Sequence, residues 1–246
     1  LLNLKKRDYS QNNLLKSSKF VSITIRIVYY SSIIYSKQRE FYHLIMTLCF
    51  EYKKAVQAMN FFARSNTSHK ISKLKVLKLI YLADRYHLRK YGRMITNDNY
   101  FAMRMGPVAS SVKNIAEQST MLSKDALEYG GKVLHKVDHE HNVRSQSEVN
   151  EKVFSQTDLE ALNFVKENFM RTSPFELVDK THLFPEWNKH ENLFKHNPDT
   201  TKEMDIIDFF LKAPEEHEYC DLDDELLELN KEFFVEQLAM EQQWLR

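Results

Sequence analysis

The stretch Lys78 to Ser110, KLIYLADRYHLRKYGRMITNDNYFAMRMGPVAS, decides how this chain is read. Its first half extends an apolar stripe at Leu74, Leu77, Tyr81, Leu88 and Tyr91, whose three- and four-residue steps keep to one face of a helix. Ser72 can accept hydrogen bonds from the free amides at the start of that helix. Gly92 stands just past its last turn, where a left-handed backbone is easy for glycine. Asp84 falls on the same stripe, where a core residue is expected. A carboxylate there is costly unless it is paired or hydrogen-bonded, and Arg93, Arg104 or a backbone amide are its candidate partners. The second half, Met94 to Met105, has no helical period. Gly106-Pro107 predicts a turn, with Pro107 opening a third helix over 108–119.

Working outward, Tyr52, Ala55, Val56, Met59, Phe62 and Ala63 repeat the helical spacing and predict a first helix over 50–64. A short helix near 123–129 is expected to stop at Gly130-Gly131, and alternating Val133, Val137 and Val143 predict a small hairpin within 132–144. Thr157 and Glu160 have the spacing of a capping box opening a helix through Leu159, Leu162, Val165 and Phe169, and Ser173-Pro174-Phe175-Glu176 repeats the signal. Residues 192–201 read as a loop and 204–211 as a short amphipathic helix. Leu222, Leu226, Leu229 and Phe233, followed by Val235, Leu238 and Trp244, predict a final acidic helix. The 246 residues are 43% hydrophobic with only 4 Gly and 5 Pro, enough for a real core and too few turn residues for a many-stranded fold. No repeat of solenoid length is evident. The expected fold is mainly α: a compact multi-helix domain with room for one small β-hairpin.

The net charge of +1 averages over unlike parts. Residues 1–45 hold eight basic and two acidic side chains, residues 46–145 seventeen and eight, residues 146–200 six and ten, and residues 201–246 four and fourteen. This divides the chain into a basic extension (1–45), a helical domain (46–200) and an acidic helical tail (201–246). The extension, rich in Ser, Asn, Ile and Tyr, is too polar for a membrane span and lacks the compact apolar core of a secretory signal. It reads as upstream sequence ahead of an initiating Met46, or as a disordered basic arm. Cys49 and Cys220 are too few and too far apart for a metal knuckle or a disulfide framework, so a cytoplasmic location is expected.

Four motifs carry a family resemblance: K-L-I-Y-L-A-D at Lys78 to Asp84, G-R-M-I at Gly92 to Ile95, N-D-N-Y-F-A at Asn97 to Ala102 and G-P-V at Gly106 to Val108. Together with Phe154 to Leu159 and the H-L-F-P-E-W stretch at His182 to Trp187, they resemble the Panacea domain of SocA-like antitoxins over about Met46 to Glu191. Met94 and Ala109 depart from that pattern, in which prolines are usual. The resemblance implies a non-catalytic protein without cofactor or metal, which neutralises a cognate toxin by direct contact. It also implies a proteolytic adaptor role toward a Clp-type protease for the founding type, and a phage or prophage setting. The partner-binding residues expected on this basis are Tyr81, Asp84, Arg85, Tyr91, Arg93, Asp98, Tyr100 and Arg104.

Other readings of the same residues stand beside this one. Lys73, Lys75, Lys78, Arg85, Arg89, Lys90 and Arg93 crowd the second helix. They read either as a solvated outer face or as the phosphate-contacting surface of a nucleic-acid-binding regulator over 73–93, whose affinity would fall steeply with salt. No helix-turn-helix signature accompanies them. An enzyme would need a deep pocket with perturbed groups around Asp84 and His87. His135, His139 and His141, with Asp138 and Glu140, match no strong zinc spacing. The acidic C-terminal helix either covers its own domain or offers its Leu and Phe stripe to a basic partner.

Overall fold

A computed structural model describes residues 50–137, 139–213 and 222–244. The proposed extension over 1–45, both cysteines and Asp138 lie outside them. Helix α1 (Tyr52–Arg64) is followed by β1 (Lys70–Ser72), α2 (Lys73–Tyr91), β2 (Tyr100–Met103), β3 (Gly106–Ala109), α3 (Ser110–Glu117) and α4 (Lys124–Val133). Strands β4 (Leu134–His135) and β5 (Asn142–Ser145) lead through a 3-10 turn at Glu151–Val153 to α5 (Gln156–Phe169) and α6 (Pro174–His182). Short helices α7 (Pro185–Asn188) and α8 (Glu191–His196), strand β6 (Lys202–Glu203), a second 3-10 turn at Ile206–Phe210 and the long α9 (Asp224–Trp244) complete the order. The fold is mainly α, as expected, with two small antiparallel sheets ordered β1-β5-β4 and β3-β2-β6.

Helix α2 is the axis of the domain. Ser72 Oγ accepts the Lys75 amide at 3.3 Å, and Gly92 ends the helix at φ +67° with its N–H on the Leu88 carbonyl. A side chain at Gly92 would also be obstructed, because a Cβ would lie 2.7 Å from the Phe233 ring. The helix is buried from Val76 to Arg85 and again from His87 to Arg89, on every side rather than along one stripe. Helices α5, α6 and α9 and strand β3 all pack on it.

Several expectations shift once tertiary pairing is in place. Pro107 does not open a helix. It lies in β3 opposite Ala102, and α3 begins only at Ser110. A strand tolerates proline where its missing N–H is not needed by the ladder. Helix α4 runs through Gly130-Gly131 to Val133 instead of stopping there. At Gly130 a Cβ would already be 3.7 Å from Ile115 and 3.8 Å from Val56, so the bare backbone permits close helix contact. The 132–144 hairpin forms between β4 and β5, but β1 joins it and β2, β3 and β6 build a second sheet. The first capping box is Ser155 with Asp158, two residues earlier than the Thr157–Glu160 pair, while the second is Ser173 with Glu176 as expected. Part of the 192–201 loop is helix α8, and 204–211 holds the 3-10 turn rather than an α-helix.

Candidate functional site

The polar groups of α2 point inward and form three linked clusters. Asp84 lies within α2, fully buried, with its carboxylate turned to the segment that follows the helix. Its Oδ1 accepts the amides of Ile95 at 2.7 Å and Thr96 at 3.0 Å. Its Oδ2 accepts the Tyr100 hydroxyl at 2.7 Å and the Thr96 hydroxyl. Four donors on one carboxylate fold the Gly92–Tyr100 segment back onto the helix. Burial nevertheless holds its pKa above the ordinary aspartate value, and the hydrogen bonds from Thr96, Tyr100 and Ile95 only partly offset that.

One turn away, Glu186 Oε1 accepts the Tyr81 hydroxyl at 2.5 Å and Arg85 Nε at 2.7 Å. The Arg85 guanidinium lies 3.9 Å from the Phe184 ring centroid and also donates to the Leu211 carbonyl at 3.2 Å. Arg89 donates to the carbonyls of Phe209 at 3.0 Å and Leu211 at 2.8 Å. Thus the H-L-F-P-E-W stretch and the chain after β6 are both tied to α2 by buried charge. Tyr81 packs edge-on against Tyr100 and Phe209, which joins this cluster to the first. Desolvation raises the pKa values of both tyrosines well above normal, with Glu186 and Asp84 respectively adding to the effect.

The third cluster centres on buried Asp158, the N3 residue of α5. Lys54 approaches it at 2.9 Å, Arg93 at 2.9 Å and His87 at 3.3 Å. Burial opposes ionisation of Asp158, but the Ser155 amide, Lys54 and Arg93 outweigh it and lower its pKa. His87 is held between the Arg93 carbonyl at Nδ1 and the Thr157 hydroxyl at Nε2. Burial lowers its pKa to about 4, so it is neutral near pH 7. Two further buried charges stand apart. Lys78 donates to the Pro107 carbonyl at 2.7 Å, and desolvation lowers its pKa to about 7. Asp98 accepts the amides of Asn99, Ser111 and Val112, so capping the start of α3, and burial raises its pKa to about 6.

Of the eight residues expected to bind a partner, Tyr81, Asp84, Arg85, Asp98 and Tyr100 are buried. Tyr81, Asp84, Arg85 and Tyr100 converge, whereas Asp98 serves its own helix cap. Tyr91 and Arg93 are half-buried beside α5, and Arg104 is exposed in the β2–β3 turn. The five buried residues hold elements of the chain itself together, and Tyr91, Arg93 and Arg104 are the ones that keep exposed surface. Of the candidate partners of Asp84, backbone amides hold it, together with two hydroxyls, while Arg93 pairs with Asp158. Glu186 and Asp158 are the central polar residues that sequence reasoning missed, and Lys78 and Arg89, read there as surface cations, are buried. The signal for Glu186 was a carboxylate set between Phe184 and Trp187 directly after a proline.

The basic face of α2 is also occupied from within. Lys73 pairs with Glu117, Lys90 with Glu160, Arg93 with Asp158 and Arg85 with Glu186. Lys75, Lys78 and Arg89 donate to carbonyls of the chain. These seven cations therefore give a phosphate backbone little to hold, and three of them are buried. His135 and His139 line an open cleft with Lys70, Lys136, Glu140, Asn142 and Arg144. Among the described residues no three His, Cys, Asp or Glu side chains converge as a metal site, and no helix is long and apolar enough to cross a membrane.

Residues 76–188 match the family model described as Antitoxin SocA-like, Panacea domain. The match runs from the first turns of α2 to the end of α7, and so takes in Asp84, Asp158 and Glu186 but not α1 or α9. No curated protein and no solved structure matches the chain.

Proposed function

We propose that this chain, whose residues 76–188 are a SocA-like Panacea domain, is an antitoxin that neutralises a cognate toxin by direct protein contact in the cytoplasm. The observation that carries this reading is the family match, and the geometry is compatible with it. The charged residues of the family motifs hold the domain together around α2 instead of lining a cleft where a substrate could reach them. We read the chain as non-catalytic on the same ground. Delivery of the toxin to a Clp-type protease is the second form that neutralisation could take. A regulator that grips nucleic acid through 73–93 is less well supported, because the seven cations of that segment are engaged within the chain.

The test is growth of cells expressing the adjacent open reading frame, alone and together with this chain, followed by co-purification. Toxicity relieved by a stable complex is the expected result. A neighbour that is harmless, or toxic but never bound, would remove the antitoxin reading. Blocking and degradation separate in a strain lacking Clp proteases, where only a blocking antitoxin still protects.

A further inference from the structure

Helix α9 has two apolar faces, one buried against the domain and the other largely exposed. Leu227, Phe234 and Leu238 are buried, Asn230 donates to the Arg89 carbonyl at 2.9 Å, and Phe234 meets the Phe210 ring at 6.0 Å between centroids. These residues seat the helix on α2. A second stripe, Leu226, Leu229, Phe233 and Met240, lies beside that contact and is 36%, 62%, 43% and 52% exposed, with one edge of the Phe233 ring resting against Gly92. Its steps of three, four and seven residues make it a continuous ridge on the helix surface rather than scattered exposure. Exposed Glu225 stands four residues before Leu229, and Glu232 three after it. Glu236 is three after Phe233 and four before Met240. The ridge therefore has a carboxylate edge along its length. From Asp224 to Trp244 six acidic residues face a single lysine, Lys231, which pairs with Glu228.

We infer that this ridge is a docking surface for a basic amphipathic segment of the partner protein. Resting on the antitoxin reading above, this places the toxin contact on α9, outside the matched family domain. The apolar side chains supply the area that association removes from water, and the carboxylate edge selects lysine and arginine beside the partner's own apolar anchors. A second copy of this chain fits poorly. A two-fold pairing through the same ridge sets Glu232 and Glu236 against identical carboxylates with no cation on that edge to offset them. The helix can hold this ridge in water because its opposite face, with Asn230 and Phe234, anchors it.

The experiment uses the full chain and the product of the adjacent open reading frame, scored by growth and by affinity of the purified pair. Three forms are compared: wild type, the double variant Leu229→Ser/Met240→Ser, and the charge reversal Glu225→Lys/Glu232→Lys/Glu236→Lys. Thermal unfolding confirms that each is folded. Both variants are expected to lose about tenfold or more in affinity, and a photo-crosslinker at position 229 should mark a toxin peptide rich in lysine or arginine. Undiminished affinity in both variants, or crosslinking to an acidic peptide, would overturn the assignment while leaving the antitoxin reading intact. A homodimer dissolved by Leu229→Ser would overturn it in favour of a second copy. If the wild-type chain itself gives no protection, the antitoxin reading falls, and this docking surface falls with it.

Discussion

Helix α2 carries Lys78, Asp84, Arg85 and Arg89 into the interior, whereas helix α9 leaves Leu226, Leu229, Phe233 and Met240 in contact with water. The two helices touch, yet each departs from ordinary burial in the opposite direction. The difference lies in what meets the misplaced groups. Asp84, Arg85 and Arg89 end on amides, hydroxyls, carboxylates or carbonyls of the same chain, so their desolvation is compensated internally and they fix one arrangement of the loops. The outer ridge of α9 is bordered by carboxylates of its own helix, with the Phe233 ring edge meeting the end of α2. Buried charge on α2 therefore points inward to architecture, and exposed apolar surface on α9 points outward to recognition. Each half of that contrast makes a separate demand on mutants.

The largest effect is expected at Asp84. Asp84→Ala leaves two amides and two hydroxyls without their acceptor in a site closed to water. At roughly 1–3 kcal/mol for each stranded group, partly relieved by relaxation, a loss of about 4 kcal/mol is expected in urea unfolding. That is a large share of the stability of a typical domain. Asp84→Asn keeps one acceptor oxygen and the shape, and should cost less than half as much. A loss below about 1 kcal/mol for the alanine variant would show that the Gly92–Tyr100 turn does not depend on this carboxylate.

Next comes the pair on the far side of Tyr81. Glu186→Leu strands the Arg85 guanidinium, and removing one partner of a buried pair typically costs about 3 kcal/mol or more. Adding Arg85→Met should recover much of that loss, since both charges are then gone and Phe184 retains an apolar neighbour. A double variant as unstable as the sum of the singles would mean that Arg85 and Glu186 act independently. That result would weaken the view of α2 as a helix locked by paired charge.

How far the sequence reveals this contrast depends on the range of the interactions. Ser72 and Gly92 were legible because a cap concerns neighbours within one turn, and so was the Ser173–Glu176 box. Pro107 was misread because its place beside Ala102 is set by strand pairing, which no local period reports. The cations of α2 looked like a solvated face because lysine and arginine usually are. Nothing near Arg89 in the sequence announces that Phe209 and Leu211 will turn their carbonyls toward it. For α9 the apolar residues were recognised but the seam was not. Leu226, Leu229 and Phe233 read as one stripe that either covers the domain or meets a basic partner, whereas the contact runs through Leu227, Asn230, Phe234 and Leu238. Both stripes have helical spacing, and only the partner surface selects one.

A pH titration probes the third cluster and is expected to give a smaller, conditional effect. The folded-state pKa of His87 is lowered from 6.5 to about 4. The unfolded chain therefore binds a proton between these values while the folded chain does not. Stability from His87 is present above pH 6.5 and is lost as pH falls toward 4, by up to about 3 kcal/mol. Asp98, raised to about 6, works the other way: its folded form takes up a proton first, so it adds stability as pH falls from 6 toward 3.8. The two nearly oppose each other in the wild type, so the comparison must be with His87→Gln. That variant should lose less stability than wild type between pH 6.5 and 4. Parallel pH profiles would mean that His87 is already charged in the folded protein beside Asp158.

The smallest expected effect on folding is the one that matters most for the contrast. Leu229 is 62% exposed and contributes nothing to the seam with α2, so Leu229→Ser should change unfolding free energy by no more than about 0.5 kcal/mol. Phe234→Ala, five residues further along the same helix, removes a buried ring that meets Phe210 and should cost about 3 kcal/mol. Measured side by side, the pair separates the two faces of one helix. If Leu229→Ser proves as damaging as Phe234→Ala, the outer ridge is part of the fold, and its exposure carries no message about a partner. If it is silent in folding while protection from the toxin is lost, the ridge is held in water for something other than stability.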